Sequence, residues 1–269
     1  MQVVKFEFGG GLGDVISQCY WNGYYCHLER AGMAYGRAQV NLVTHNPYVP
    51  ELFRWHPRKD LIDVVECGYW LPEKNKEMRP KWGLDPRHQL PRLEEKPIWY
   101  YSPEDSLWVE TCKLAVKPFV VISQAAGLPA RNVPVGMVLD VMEALKLRDI
   151  VSVLVGRTFE RHGRAEDLLL QADGSHTINL IDKLSVPGTL RILEMSQGLV
   201  TCHSALNLAG WHMRKPQLLL YPQSVKERHF LRRDQWAFGA DFPETSHACW
   251  DDPGAVAPAT RKFIERFKP

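Results

Sequence analysis

The chain has 269 residues and a mass of 30.9 kDa, more than one small core needs, so two modest domains or one large one are expected. Hydrophobic residues make up 45% and charged residues 24%, which excludes a chain that is disordered throughout. The formal net charge is only +2, which excludes a protein held on nucleic acid by a general basic excess. The six cysteines form no Cys-x-x-Cys pair, so reduced thiols and a cytoplasmic location are expected. The charged amino terminus is unlike a signal peptide and no long apolar run follows it, so no transmembrane segment is expected.

The first half of the chain alternates short β-rich runs with helical stretches. Strands are predicted at residues 3–8, 39–43 and 62–67, with a helix from Asp14 to about residue 31 and a short helix begun by Pro50. This order predicts a β-α-β-α-β unit with a parallel sheet. The segment 71–97 is rich in Pro, Lys, Arg and Glu and is predicted to be a long loop.

The second half repeats the alternation. A helix is predicted from Pro103, with Ser102 as its N-cap, to about residue 116. Strands then follow at residues 119–123, 150–155, 177–180, 199–202 and 217–221, and helices at 135–147, 159–170, 187–196, 204–211 and 255–267. The order favours a second Rossmann-like half with a parallel sheet.

A glycine-rich turn separates the first strand from the first helix. Gly10, Gly11 and Gly13 would let the backbone approach a ligand, and the amides of the following helix favour negative charge. The dinucleotide pattern G-x-G-x-x-G is not met, because Asp14 stands at its last position, and no P-loop sequence occurs. The adjacent Asp14 is either the N-cap of the helix or a catalytic carboxylate, and both alternatives remain open.

Two further strand-to-helix junctions lie in the second half, at residues 124–134 and 201–210. Each follows the carboxyl end of a predicted parallel strand, where open α/β proteins bind their ligands. A small hydroxyl residue at a helix start, here Ser204, suits a diphosphate. The alternatives are an ordinary N-cap for Ser204 and a solvated loop histidine for His203.

The order and spacing of these motifs resemble the bacterial ADP-heptose:lipopolysaccharide heptosyltransferases of glycosyltransferase family nine. Residues 13–16 are similar to the family's Gly-Asp-Val-Ile segment, and residues 131–134 to its Lys/Arg-x-Trp-Pro loop. Residues 153–156 with Glu160 are similar to its strand-Gly-x-x-x-Glu element. Residues 198–205 resemble the stretch of the family sequence that leads into its Asp-Ser-Gly-x-x-His segment. The likeness covers most of the chain in order.

The resemblance implies an α/β protein of GT-B fold with two facing Rossmann-like domains. It implies an acceptor domain at residues 1–116, a nucleotide-sugar donor domain at 117–250, and a last helix, within 251–269, that crosses back to the first domain. The implied reaction is metal-independent inverting transfer, without a cofactor, from a nucleotide-diphosphate sugar to a hydroxyl of a saccharide. At 269 residues the chain is shorter than typical family members, mainly on the acceptor side, so a hydroxymethylated nucleobase in modified nucleic acid is an alternative acceptor. The implied roles are Asp14 as catalytic base, Gly10, Gly11 and Gly13 as acceptor or phosphate loop, and Arg131, Gly156, Glu160, His203, Ser204 and Ala205 as donor-binding residues.

The chain departs from the family pattern at three points. It has His203-Ser204-Ala205 where the family has Asp-Ser-Gly, Asn207 in place of the family histidine, and Val133 in place of the loop tryptophan. A nucleotide-sugar epimerase of the same architecture and a catalytically degenerate binding protein are therefore alternatives. The basic run at residues 226–233 is either a phosphate contact or, more commonly for such runs, a solvated face.

Overall fold

The computed structural model describes residues 3–8, 12–13, 15–16, 39–44, 48–57, 59, 62–66, 98–114, 117–126, 129–157, 174–223, 245–252 and 254–267. Its contacts divide the chain into two compact units, Met1–Ser102 with Ser185–Pro187, and Pro103–Leu184 with Gly188–Pro269. The first passage between the units therefore falls at Ser102, close to the start of a helix. The functional division at residues 1–116, 117–250 and 251–269 stays a prediction.

The first unit contains a three-stranded sheet. Its strands are β1 (Val3–Phe8), β2 (Gln39–Thr44) and β3 (Ile62–Glu66), paired in the order β1-β2-β3 and all parallel. A short helix, α1 (Val49–Phe53), connects β2 and β3. Parallel neighbours need a crossover connection, so this order agrees with the predicted β-α-β-α-β unit.

The helix after β1 begins earlier than the sequence predicts. Leu12 and Gly13 already have helical backbone, and so do Val15 and Ile16, whose side chains are fully buried. The glycines here were expected to keep the turn open as far as Gly13, whereas a glycine adopts helical angles as readily as turn angles. Gly13 is buried within this helical stretch.

The second unit is built on a six-stranded parallel sheet. Its strands are β4 (Phe119–Ser123), β5 (Val151–Leu154), β6 (Thr177–Asn179), β7 (Gly198–Thr201), β8 (Gln217–Tyr221) and β9 (Thr245–Cys249). They pair in the order β6-β5-β4-β7-β8-β9, all parallel. Counted within the unit, this is the order 3-2-1-4-5-6 of a Rossmann fold. The predicted α/β class with parallel sheets is confirmed.

Helices alternate with these strands. They are α2 (Pro103–Leu114), α3 (Val135–Lys146), α4 (Val186–Met195), α5 (Ala205–His212) and α6 (Val256–Ile264). Strands β4, β5, β7 and β8 are buried along their whole length, as expected for a parallel sheet covered on both faces. In the part of the chain that the structure describes, no helix is long and apolar enough to cross a membrane.

Strand β9 was not predicted. Its sequence, Thr-Ser-His-Ala-Cys, lacks the aliphatic and aromatic residues that mark the other strands. It pairs with β8 in register from Gln217↔Thr245 to Tyr221↔Cys249 and closes one edge of the sheet. The predicted loop 71–97, the predicted helix 159–170 and the basic run 226–233 lie outside the described residues.

Helix α4 begins with Val186 and Pro187, which belong to the first unit, and its remaining residues belong to the second unit. The backbone N–H of Val186 donates to Glu51 Oε1 at 2.9 Å. Asp105 is 1% exposed, and a Cβ built on Gly188 would lie 2.6 Å from its Cγ. Negative charge at a helix amino terminus is favourable. Glycine is required at position 188 because the Asp105 carboxyl group occupies the space of a side chain.

Candidate functional site

The order of the six strands reverses between β4 and β7. In open α/β sheets, ligands bind outside the carboxyl ends of the strands at such a switch point. The last residues of these strands, Ser123 and Thr201, are partners in register. The loop that follows β4 and the segment that follows β7 therefore leave the sheet side by side, and both are junctions that the sequence indicated as ligand sites.

The loop after β4 is closed by hydrogen bonds between its two ends. The Val133 N–H donates to the Gln124 carbonyl at 3.0 Å, and Gln124 Nε2 donates to the Val133 carbonyl at 2.8 Å. Asn132 Oδ1 accepts from the Ala126 N–H at 2.9 Å. A short 3₁₀ turn, Pro129–Arg131, forms the part of the loop just before Asn132. These bonds hold Arg131 on a closed loop.

Arg131 is partly buried and lies close enough to Cys202 for the two side chains to interact electrostatically. Burial lowers the pKa of the Arg131 guanidinium, and the Coulombic interaction with Cys202 opposes this shift. An arginine nevertheless stays protonated in proteins. A positive charge is thus placed next to the carboxyl end of β7.

The segment after β7 begins α5. Thr201 Oγ1 donates to the Cys202 carbonyl at 3.2 Å, and the hydroxyls of Thr201 and Ser204 lie 3.0 Å apart. Ser204 occupies the N-cap position with extended backbone, but its side chain makes no capping hydrogen bond. Ala205 is the first helical residue, and the partly buried His203 precedes Ser204. The Ser204 hydroxyl therefore leaves the first amides of α5 to another acceptor.

Cys202 belongs to the junction after β7 but is unsuited to nucleophilic chemistry. Its side chain is fully buried, and burial raises the pKa of the thiol to about 12, although hydrogen bonds and Arg131 act in the opposite direction. A thiol needs its thiolate form to react. Cys112, Cys202 and Cys249 are all buried free thiols.

The loops after β5 and β6 are tied together beside this region. Gly156 has a φ of 138°, a conformation that only glycine adopts readily, and its carbonyl accepts from the Asp182 N–H at 3.0 Å. Asn179 Oδ1 accepts from the Ile181 N–H at 3.0 Å. Gly156 thus lies at the carboxyl end of β5, the strand next to β4.

The structure describes only some of the predicted site residues. Arg131, Gly156, His203, Ser204 and Ala205 lie at the carboxyl ends of the central strands of the second unit. Gly10, Gly11, Asp14 and Glu160 are outside the described residues, while Gly13 belongs to the first unit. Among the side chains that the structure describes, no group of three or more His, Cys, Asp or Glu residues is arranged to hold a metal ion.

Two features of the site were not predicted from the sequence. The buried amides of Gln124 and Asn132 close the Arg131 loop, and no sequence motif marks either residue. Asn207, which was set against a family histidine, is fully buried, and its side-chain amide pairs with that of Gln217 at 3.0 Å. Asn207 therefore joins α5 to β8 inside the unit.

Comparison with known proteins places this arrangement among glycosyltransferases by fold. No family model and no curated protein matches the sequence. Over 99% of both chains, the structure superposes on ADP-heptose LPS heptosyltransferase II from E. coli, with a TM-score of 0.60 and 12% identity. It superposes on a family 9 glycosyl transferase from Veillonella parvula with a TM-score of 0.57 and 13% identity, covering 97% of this chain and 89% of that one. For E. coli heptosyltransferase WaaC with ADP, the TM-score is 0.56 at 14% identity, covering 98% and 99%. The chain therefore has the GT-B fold that the resemblance to family nine implied.

Proposed function

We propose that the protein is a glycosyltransferase that moves a sugar from a nucleotide-diphosphate donor to a hydroxyl acceptor. The observation that carries the proposal is that the loop with Arg131 and the segment leading into α5 leave the sheet side by side, at the switch point between β4 and β7. A guanidinium and the amides at the start of a helix together suit a diphosphate. A heptosyltransferase of the same fold has been solved with ADP, which supports a nucleotide as a ligand.

The proposed chemistry is a single displacement with inversion. The acceptor hydroxyl oxygen bonds to the anomeric carbon while the bond from that carbon to the diphosphate oxygen breaks. Asp14 takes the hydroxyl proton as general base, and Arg131 with the amides near Ser204 and Ala205 stabilises the departing diphosphate. Neither a metal ion nor a cofactor is part of this proposal.

The remaining assignments follow the resemblance. Gly156 and Glu160 face the donor nucleoside, and His203 lies at the diphosphate in the place of the family aspartate. The turn at Gly10, Gly11 and Gly13 lets the acceptor or a phosphate approach the backbone. Residues 1–116 form the acceptor domain, and residues 117–250 form the donor domain. The acceptor is a saccharide or a hydroxymethylated nucleobase, and the enzyme works in the cytoplasm.

Ligand-dependent melting tests the proposal directly. ADP, GDP, UDP, CDP and their common sugars are each added with EDTA and, separately, with Mg²⁺. A ligand at about 100 times its Kd adds roughly 2.7 kcal/mol of stability. For a protein of this size, that raises the Tm by roughly 5–10 °C. If no nucleotide shifts the melting, the proposed donor site is wrong, and a shift seen only with Mg²⁺ contradicts the metal-free mechanism.

Product analysis then separates the proposed activity from its alternatives. The stabilising nucleotide sugar is incubated with and without a panel of saccharide and hydroxymethylated nucleobase acceptors. Transfer predicts nucleoside diphosphate and a glycosylated acceptor in equal amounts. An altered sugar nucleotide formed without any acceptor indicates an epimerase, and tight binding with no turnover indicates a degenerate binding protein.

A further inference from the structure

The loop that carries Arg131 is held by two amide side chains to which the resemblance gives no role. Gln124 and Asn132 are each only 4% exposed. Gln124 directly follows β4 and bonds Val133 through both its side chain and its carbonyl, at 2.8 and 3.0 Å. Asn132 directly follows Arg131 and accepts the Ala126 N–H at 2.9 Å. The backbone that follows Arg131 is therefore bonded back to the start of the loop, directly after β4.

Each amide uses only half of its hydrogen-bonding capacity in this arrangement. Within the described part of the chain, Gln124 Oε1 and Asn132 Nδ2 are buried and have no hydrogen-bond partner. A buried donor or acceptor without a partner is unfavourable, and apolar side chains of similar size would avoid that cost. The amides are therefore better explained by the bonds they make across the loop than by core packing.

We propose that Gln124 and Asn132 are positioning residues that hold Arg131 in place for the donor diphosphate. This inference rests on the proposed function. An arginine side chain has several rotatable bonds, so a fixed loop reduces the freedom it loses when it binds an anion. Small displacements of a positioned group are costly, since about 1 Å can change a rate by roughly 10²-fold. Neither amide needs to contact the donor for this effect.

The test compares variants that remove one bond at a time. Asn132→Leu removes the acceptor of the Ala126 N–H, whereas Asn132→Asp keeps an acceptor oxygen. Gln124→Met removes the bond to the Val133 carbonyl. The matched control is Ser196→Ala, because Ser196 is 3% exposed and its hydroxyl bonds the carbonyls of Leu193 and Gly198 at the opposite end of β7.

Affinity is measured for the tightest-binding nucleotide among ADP, GDP, UDP and CDP. We expect Asn132→Leu and Gln124→Met to weaken it about 10-fold, and Asn132→Asp to stay within about threefold of the wild type. Ser196→Ala lowers the Tm without changing the affinity. If Ser196→Ala weakens binding as much as Asn132→Leu does, the effect is general destabilisation and the proposal is overturned.

A double-mutant cycle shows whether Asn132 acts through Arg131. In the Arg131→Ala background, Asn132→Leu should weaken binding by less than about twofold, because the side chain that it positions is gone. If the two substitutions weaken binding by factors that multiply in the double variant, Asn132 acts independently of Arg131 and the proposal is overturned.

Arg131 can also be probed without a nucleotide. Its modification by an arginine-selective dicarbonyl reagent, followed by mass spectrometry, should increase in Asn132→Leu and Gln124→Met but not in Ser196→Ala. If modification of Arg131 increases in these variants but the wild-type protein binds no nucleotide, the proposed function is wrong, while the amides still hold the loop. If modification of Arg131 is unchanged in these variants and they bind nucleotide normally, the positioning role of the amides is wrong and the proposed function stands.

Discussion

Replacing Gly188 with alanine places a methyl group where the Asp105 carboxyl group already lies. The added Cβ would be 2.6 Å from Cγ, 2.7 Å from Oδ1 and 2.9 Å from Oδ2 of Asp105. Asp105 is 1% exposed, so its carboxylate cannot move aside without displacing buried neighbours. Overpacking of this kind costs about 1–3 kcal/mol, and disturbing the contacts of a buried carboxylate costs a further ~1–3 kcal/mol. Alanine favours helix over glycine by ~1 kcal/mol, so we expect a net loss of about 1–5 kcal/mol.

The free energy of unfolding is measured by urea denaturation and checked by thermal melting. Gly136→Ala in α3 is the matched control, because Gly136 is exposed and an added Cβ there meets nothing within 4 Å. It should stabilise the protein by ~0.4–1 kcal/mol. In an Asp105→Ala background, Gly188→Ala should lose most of its cost. A Gly188→Ala protein as stable as Gly136→Ala would refute the packing of α4 on Asp105.

Three further substitutions separate binding, chemistry and stability. Arg131→Ala should weaken nucleoside diphosphate binding by about 10- to 100-fold with little change in Tm, whereas the control Arg148→Ala, at an exposed position of the same unit, should leave binding unchanged. If calorimetric titration finds equal affinities for Arg131→Ala and the wild type, Arg131 is not part of the site. Asp14→Asn should stay folded, bind the donor and lose transfer by at least ~10²-fold, and near-normal turnover beside an unchanged melt would show that Asp14 is not the base. Asn207→Leu should lower the free energy of unfolding by ~1–3 kcal/mol because the buried Gln217 amide loses its partner, and adding Gln217→Met should restore part of that stability. If Asn207→Leu instead weakens donor binding and leaves stability unchanged, this structural role is wrong.

The second unit was largely predictable because its strands are short apolar runs bounded by turn residues. β4 coincides with the predicted strand 119–123, and β8 with 217–221. β9 was missed because edge pairing, rather than the intrinsic preference of its small polar residues, makes it a strand. The strand order also needed the structure, since a β-α alternation fits several parallel orders.

The position of the candidate site was predictable, but the partners of its side chains were not. Junctions such as residues 124–134 could be recognised because strands of a parallel sheet all end at one edge. The hydrogen bonds between Gln124 and Val133 depend on how the loop closes, which no local sequence pattern predicts. The bond between Asn207 and Gln217 could not be predicted, because motif spacing does not say whether a helical residue faces the ligand or the sheet, and each position turns the helix by about 100°.

The direct pairing of β4 with β7 has a consequence for how the protein is made. These strands are neighbours in the sheet, although β5, β6, α3 and α4 lie between them in the chain. Contacts between distant segments require the closure of a long loop, so they tend to form late in folding. The proposed donor site at the ends of β4 and β7 is then absent from most of the folding pathway, and a ligand that binds there slows unfolding without speeding folding. We therefore expect a saturating nucleotide to lengthen the lifetime of the native state and to leave the refolding rate of a newly made chain unchanged.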